Sequence, residues 1–317
     1  MEKSTRPAIP PLAGIVVALI AVSTSSIFTR YAQALAPSLV IAAYRLSISA
    51  LLLWPLTLAK HRPVLRSMSR KQVLLALLSG VFLALHFATW IASLEYTSVA
   101  SSVVLVSTLP LFVALLAPLT IGESISRMIA VGLALALSGS VIVGISDACT
   151  WQAGLQCPPM VEFLHGRALI GDLLALAGAL FGAGYMLIGR KVRPQLPLLP
   201  YISIAYSAAA IILVLFMLSA GHAATGYPAE AYLWFSLLAL LPQLIAHSTY
   251  NWALRYLSAA YVSITVLGEP IGSTFLAYIL LGEQPTGLML VGVMLILAGI
   301  LVATRRNVAA QSQSTET

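Results

Sequence analysis

The chain has 317 residues, of which 60% are hydrophobic and only 9% charged. A soluble domain carries about 25% charged residues, so this composition excludes a water-soluble globular protein and makes lipid the solvent. The formal net charge of +7 would suit a nucleic-acid partner, but the basic residues fall in short loops between apolar runs, where they set membrane orientation.

A membrane-spanning helix needs about 20 mostly apolar residues. Ten such runs follow one another, near 11–31, 37–59, 72–94, 98–120 and 125–146, then near 168–189, 197–219, 230–253, 258–281 and 286–304. The first follows Lys3 and Arg6, as a signal peptide would. Its apolar stretch is longer than a signal core and lacks a clean small-x-small site, so it is expected to remain as a span.

The second five runs restate the first five at a constant offset of 160 residues. Leu94, Tyr96, Ser98, Ala100, Pro110 and Gly122-Glu123 meet Leu254, Tyr256, Ser258, Ala260, Pro270 and Gly282-Glu283. Arg30, Pro37, Gly132 and Gly139 meet Arg190, Pro197, Gly292 and Gly299. A register without gaps is the mark of a duplication. It divides the chain into a first repeat (11–146), a linker loop (147–167) and a second repeat (168–304).

Lysine and arginine mark the sides. With the amino terminus in the cytoplasm, fourteen basic residues fall on the inner side, and only Arg30 and Arg167 on the outer side. Five spans per repeat is an odd number, so the second repeat enters the membrane upside down. The expected fold is an all-α polytopic membrane protein of ten transmembrane helices in two inverted five-helix repeats, with both termini cytoplasmic. In that architecture the substrate site lies near the midplane, between the halves. The linker carries Cys149 and Cys157, and a pair on the oxidising side of a membrane is expected to close as a disulfide.

Ionisable groups inside hydrocarbon are expensive and face an interior or a cavity. The third run carries His86 and Trp90 one turn apart. The fourth aligns Ser98, Ser101, Ser102 and Thr108. The eighth places Gln243, His247 and Asn251 at i, i+4 and i+8, on one face of a regular helix. The ninth carries Tyr261 and Thr265, then Glu269 directly before Pro270, which removes a backbone donor and loosens the helix. Glu269 is open to three uses (a protonated acid, a substrate-amine ligand or a cation partner) beside a purely structural bond to a neighbouring helix. Each histidine can bond a backbone carbonyl and pack, or serve the cavity. Arg45, two turns into the second run, can snorkel to the outer interface, hold backbone carbonyls or meet a substrate carboxylate, and a structural role is expected. A nucleotide phosphate loop, a Cys-x-x-Cys pair and a His-Glu-x-x-His helix are all missing from the sequence. No ATP hydrolysis, metal site or cofactor is therefore expected.

These residues resemble the drug/metabolite transporter superfamily, in its EamA-like branch of ten-helix carriers. The resemblance spans about 11–304. It is carried by A-L-H-F-A-T-W-I-A-S-L-E-Y-T-S-V-A-S-S (84–102), Leu109-Pro110, I-G-E (121–123), L-G-E-P (267–270) and L-L-G-E (280–283). It implies an inverted-repeat bundle around a central cavity, with the fifth and tenth helices toward the periphery. By position, His86 and Trp90 match cavity-facing sites, and Glu269 matches the glutamate of the ninth helix. Glu123 and Glu283 match helix-end glutamates, expected to cap the fifth and tenth helices. The resemblance implies a secondary transporter exporting amino acids or related small metabolites, with proton coupling or solute exchange, as a monomer or homodimer in the cell membrane. The expected substrate ligands are His86, Trp90, Ser102, Tyr185, His247, Tyr261 and Glu269. A carrier of quaternary amines or lipophilic cations is the alternative, because Trp90, Tyr185 and Tyr261 offer aromatic faces to a cation. A membrane-embedded enzyme or a receptor ranks third.

Overall fold

The computed structural model describes residues 10–123, 126–148, 150–151, 155–156, 167–282, 284 and 286–313. The first half comprises α1 (Pro11–Ser23), α2 (Ser25–Gln33), α3 (Ser38–Ser67), α4 (Arg70–Ser93), α5 (Val99–Val106), α6 (Leu109–Thr120) and α7 (Arg127–Ala148). The second comprises α8 (Arg167–Val192), α9 (Leu198–Ser219), α10 (Ala229–Leu238), a π-helix (Ala239–His247), α11 (Ser248–Ala253), α12 (Ala259–Val266), α13 (Glu269–Leu281) and α14 (Gly287–Gln313). Between the halves, Thr150–Trp151 (β1) and Leu155–Gln156 (β2) form a two-residue antiparallel ladder. Cys149, Cys157 and Glu283 lie outside the described residues.

Eight helical stretches of 20 to 30 residues are apolar enough to cross a membrane, and shorter apolar stretches, Arg127–Ile142 and Gly287–Gly299, lie in α7 and α14. Large apolar side chains stay exposed, such as Leu119 at 83% and Ile20 at 68%. In water such a surface would drive aggregation; in lipid it is the matching face.

Several crossings are broken, and the sequence says why. Pro110 and Pro270 are each the second residue of a half-helix. Neither can donate to the carbonyl four residues back, and the ring crowds that carbonyl. The preceding half-helices therefore stop at Val106 and Val266, and tight turns take over, with the Thr108 N–H on Leu105 O and the Gly268 N–H on Thr265 O. The first crossing breaks at Thr24, where hydroxyls bond backward, Ser23 to Leu19 O and Thr24 to Ala21 O. Such bonds compete with the helical ladder and bend it. In the eighth crossing Pro242 removes a donor, and the chain answers with wide π turns.

The two halves are related by a pseudo-two-fold axis. α4 packs on α8 as α1 packs on the π-helix, α6 on α8 as α13 on α1, and α5 on α13 as α12 on α6. α7 and α14 pack on each other. A Cβ on Gly139 would strike the Gly292 carbonyl, and one on Gly299 would strike the Gly132 carbonyl, so only glycine permits this approach. Polar pairs join other crossings, including Thr57–Ser203 at 2.7 Å and Ser79–Tyr201 at 2.6 Å.

Arginines tie the crossings together at both ends. At one end Arg190 pairs with Glu123 at 2.5 Å and donates to Leu254 O at 2.8 Å, while Glu123 accepts the Ala259 N–H. Glu123 therefore caps α12 in the other half; residues 124–125, which lead into the fifth helix it was expected to cap, lie outside the described residues. Arg193 does not sit in a solvated loop as a simple orientation marker. It is 1% exposed and donates to Asn251 O and Leu196 O. Burial, and then the neighbouring Arg255, lower its pKa to about 10, so it remains a cation on the Asn251 carbonyl near the end of α11. At the other end Arg30 mirrors Arg190, donating to Leu94 O at 2.5 Å and to Thr97 O at 2.9 Å.

Candidate functional site

A cavity of about 60 Å3 lies where the broken crossings meet. α1 and α2 contribute Val22 and Ser25, α4 contributes His86, Phe87 and Trp90, and the break between α5 and α6 contributes Val106, Ser107 and Leu109. α8 adds Gly182, Tyr185 and Met186, the eighth crossing adds His247, Tyr250 and Asn251, and Val266 and Glu269 stand at the break before α13.

Rings form most of the wall. His86 and Trp90 are nearly parallel, with centroids 6.2 Å apart at 10°. Phe87 meets His247 edge-on at 5.2 Å, and Tyr185 and Tyr250 flank His247 at 6.4 and 6.5 Å. The His86 Nδ1 bonds the Gly178 carbonyl at 2.8 Å. Gly178 and Gly182 on α8 make that approach possible, because a Cβ at Gly182 would lie 3.0 Å from the same ring nitrogen. A neutral His86 donating from Nδ1 keeps Nε2 as an acceptor. His86 thus packs against a carbonyl and also lines the cavity; the two uses do not exclude each other.

Glu269 opens α13, 6% exposed, and its carboxylate sits at the positive end of the helix dipole. Among the described residues, four polar atoms on the wall have no hydrogen-bond partner: Trp90 Nε1, Ser107 Oγ, Tyr250 Oη and Asn251 Oδ1. Buried polar atoms are nearly always paired, so these four atoms are open to a further hydrogen-bond partner. Asn251 spends its amide donors on Tyr185 Oη at 2.5 Å and His247 O at 2.7 Å.

Five of the seven expected ligands (His86, Trp90, Tyr185, His247 and Glu269) meet at this cavity. Ser102 and Tyr261 stand outside its wall. Ser102 bonds Ser93 at 2.6 Å, because the α5 turn that carries it packs toward the end of α4. Tyr261 is buried in the first turn of α12 beside the Ser258 cap, too far before the break to reach the cavity. Arg45 neither snorkels nor holds carbonyls: it is fully buried, donating to Gln243 Oε1 at 3.0 Å and Ser25 Oγ at 2.9 Å, with Cζ 4.0 Å above the Phe87 ring. Ser25, Phe87, Ser107 and Tyr250 were missed by sequence reasoning. The breaks at Thr24 and before Pro110 were the signal for the two serines.

A profile of the EamA-like transporter family matches residues 10–145 and again 169–305. The chain belongs to the EamA-like transporter family. It is 25% identical over 231 residues to an uncharacterized transporter of Archaeoglobus fulgidus, covering 73% of this chain and 74% of that one. It is 24% identical over 210 residues to a probable terminal-alkyne amino-acid exporter of Streptantibioticus cattleyicolor, covering 66% of this chain and 65% of that one, just under two thirds of the relative. A solved crystal structure of a protein superposes with a TM-score of 0.71 at 20% identity, covering 93% of this chain and 96% of the other. That likeness carries the fold alone. The family and these names indicate a multi-pass membrane transporter for small molecules.

Proposed function

We propose that the chain exports an α-amino acid or a related small metabolite by alternating access, in the cell membrane, with both termini cytoplasmic. The observation that carries the reading is Glu269, a buried carboxylate at a helix start on the wall of a ring-lined cavity between the two repeats. A carboxylate there can hold a substrate ammonium or a coupled proton, while the rings take up the apolar part of the solute. A relative named as a probable amino-acid exporter supports the same reading. The present cavity has room for roughly four water molecules, so a larger solute enters as the halves part. Both repeats lie in one chain, so a monomer suffices to build the site.

The ring cluster also favours a second reading, a carrier of quaternary amines or lipophilic cations, by cation–π attraction. Counterflow in proteoliposomes, with and without a pH gradient, separates the two. The expected result is accumulation of a labelled amino acid above that of protein-free vesicles. Accumulation of choline or tetraphenylphosphonium without any amino acid establishes the cation reading instead. Vesicles that move none of these solutes contradict both readings.

A further inference from the structure

Arg45 is a full positive charge buried in the membrane interior without a direct ion pair among the described residues. Its Nε and Nη1 are engaged by Gln243 and Ser25, while its Nη2 is a buried donor without a hydrogen-bond partner among the described residues. The guanidinium lies immediately behind the cavity wall: Ser25, which it bonds, and Phe87, whose face it covers, both line the cavity. Glu269 stands on that same wall. A buried charge without a partner is costly, and here a cation behind the wall and an acid on the wall come from opposite halves. Apart from Glu269, every residue of the cavity wall is uncharged or a histidine.

We propose that Arg45 is a specificity-determining residue. Its charge, behind the wall that carries the Glu269 carboxyl, makes the site select zwitterions, carboxylate toward Arg45 and ammonium toward Glu269, over cations of the same shape. This rests on the export reading above and supplies its missing anion-recognising half. It also separates the two readings of the site. Glu269 alone would favour amines, whereas a cation buried behind the same wall disfavours a solute that brings positive charge without a carboxylate.

The test uses neutral apolar amino acids, the amides of the same amino acids and the corresponding acids lacking the amine, measured by thermal shift of purified protein and by counterflow. The wild-type protein should prefer the amino acid at least tenfold over its amide. Arg45→Gln should erase or reverse that preference. Because Arg45→Gln also removes bonds to Ser25 and Gln243, its own melting temperature reports whether it folds. Glu269→Gln is the second arm: with Arg45 left unbalanced, the acid lacking the amine should become the preferred ligand. A folded Arg45→Gln with an unchanged preference, or a Glu269→Gln protein that gains no preference for the acid, overturns the role of Arg45 and leaves the export reading standing. A wild-type protein that neither binds nor moves any amino acid overturns the export reading itself, and this proposal with it.

Discussion

Trp90 shows how the site works at the level of single residues. Its ring is almost fully buried beside His86, yet its Nε1–H has no hydrogen-bond partner among the described residues. Indoles bury well only when that donor is satisfied, so a solute that accepts from it gains both area and a hydrogen bond. Trp90→Ala and Glu269→Gln are each expected to cut flux at least tenfold, about 1.4 kcal/mol of lost binding or more, at normal amounts in the membrane. Normal transport by both variants would remove the cavity from the transport path. His86, Trp90, Tyr185, His247 and Glu269 were legible in the sequence because such groups are expensive or conspicuous in apolar runs. Ser107 and Tyr250 were not. A serine inside a span reads equally well as a hydroxyl bonded back to its own helix, and only the break before Leu109 turns Ser107 toward the cavity.

Between elements, glycine and proline govern what can pack and where a helix stops. The α7–α14 contact needs both Gly139 and Gly299, each against the opposite backbone. Overpacking typically costs about 1–3 kcal/mol. Gly139→Leu and Gly299→Leu should therefore lower thermal stability by similar amounts, whereas Gly287→Ala, with open space around it, should be neutral. Unequal losses from the first two would contradict the two-fold relation. The breaks before Leu109 and Glu269 were anticipated only in part, through Pro270. The π-helix was not anticipated. Its wider turns explain why Gln243 and His247 do not share a face as the i, i+4 spacing suggested: Gln243 turns to Arg45 while His247 lines the cavity. They also account for His86 and His247 lying one residue away from repeat equivalence, since a wide turn rotates the following residues.

The duplication dominates at the scale of the whole molecule. An odd number of spans per repeat and the lysine–arginine asymmetry made the inverted arrangement readable from the chain, and the mirrored glycine and arginine contacts realise it. The orientation has its own test. With Cys149 and Cys157 replaced, single cysteines at Arg66 and Gln195 should resist an impermeant thiol reagent added outside cells, while one at Ala224 should react. Labelling at Gln195 from outside would contradict the assigned sides. Arg193 makes a poor probe here, because it is buried and holds the end of α11. In the proposed export cycle one cavity, enclosed by two inverted halves, opens alternately to the two sides. The most direct measurement places a single cysteine at Ser107, on the cavity wall, and labels it from each side in oriented vesicles. Alternating access predicts reaction from both sides, at rates that a transported solute changes in opposite directions. Reaction from one side only, under every condition and unaffected by any solute, would contradict the account.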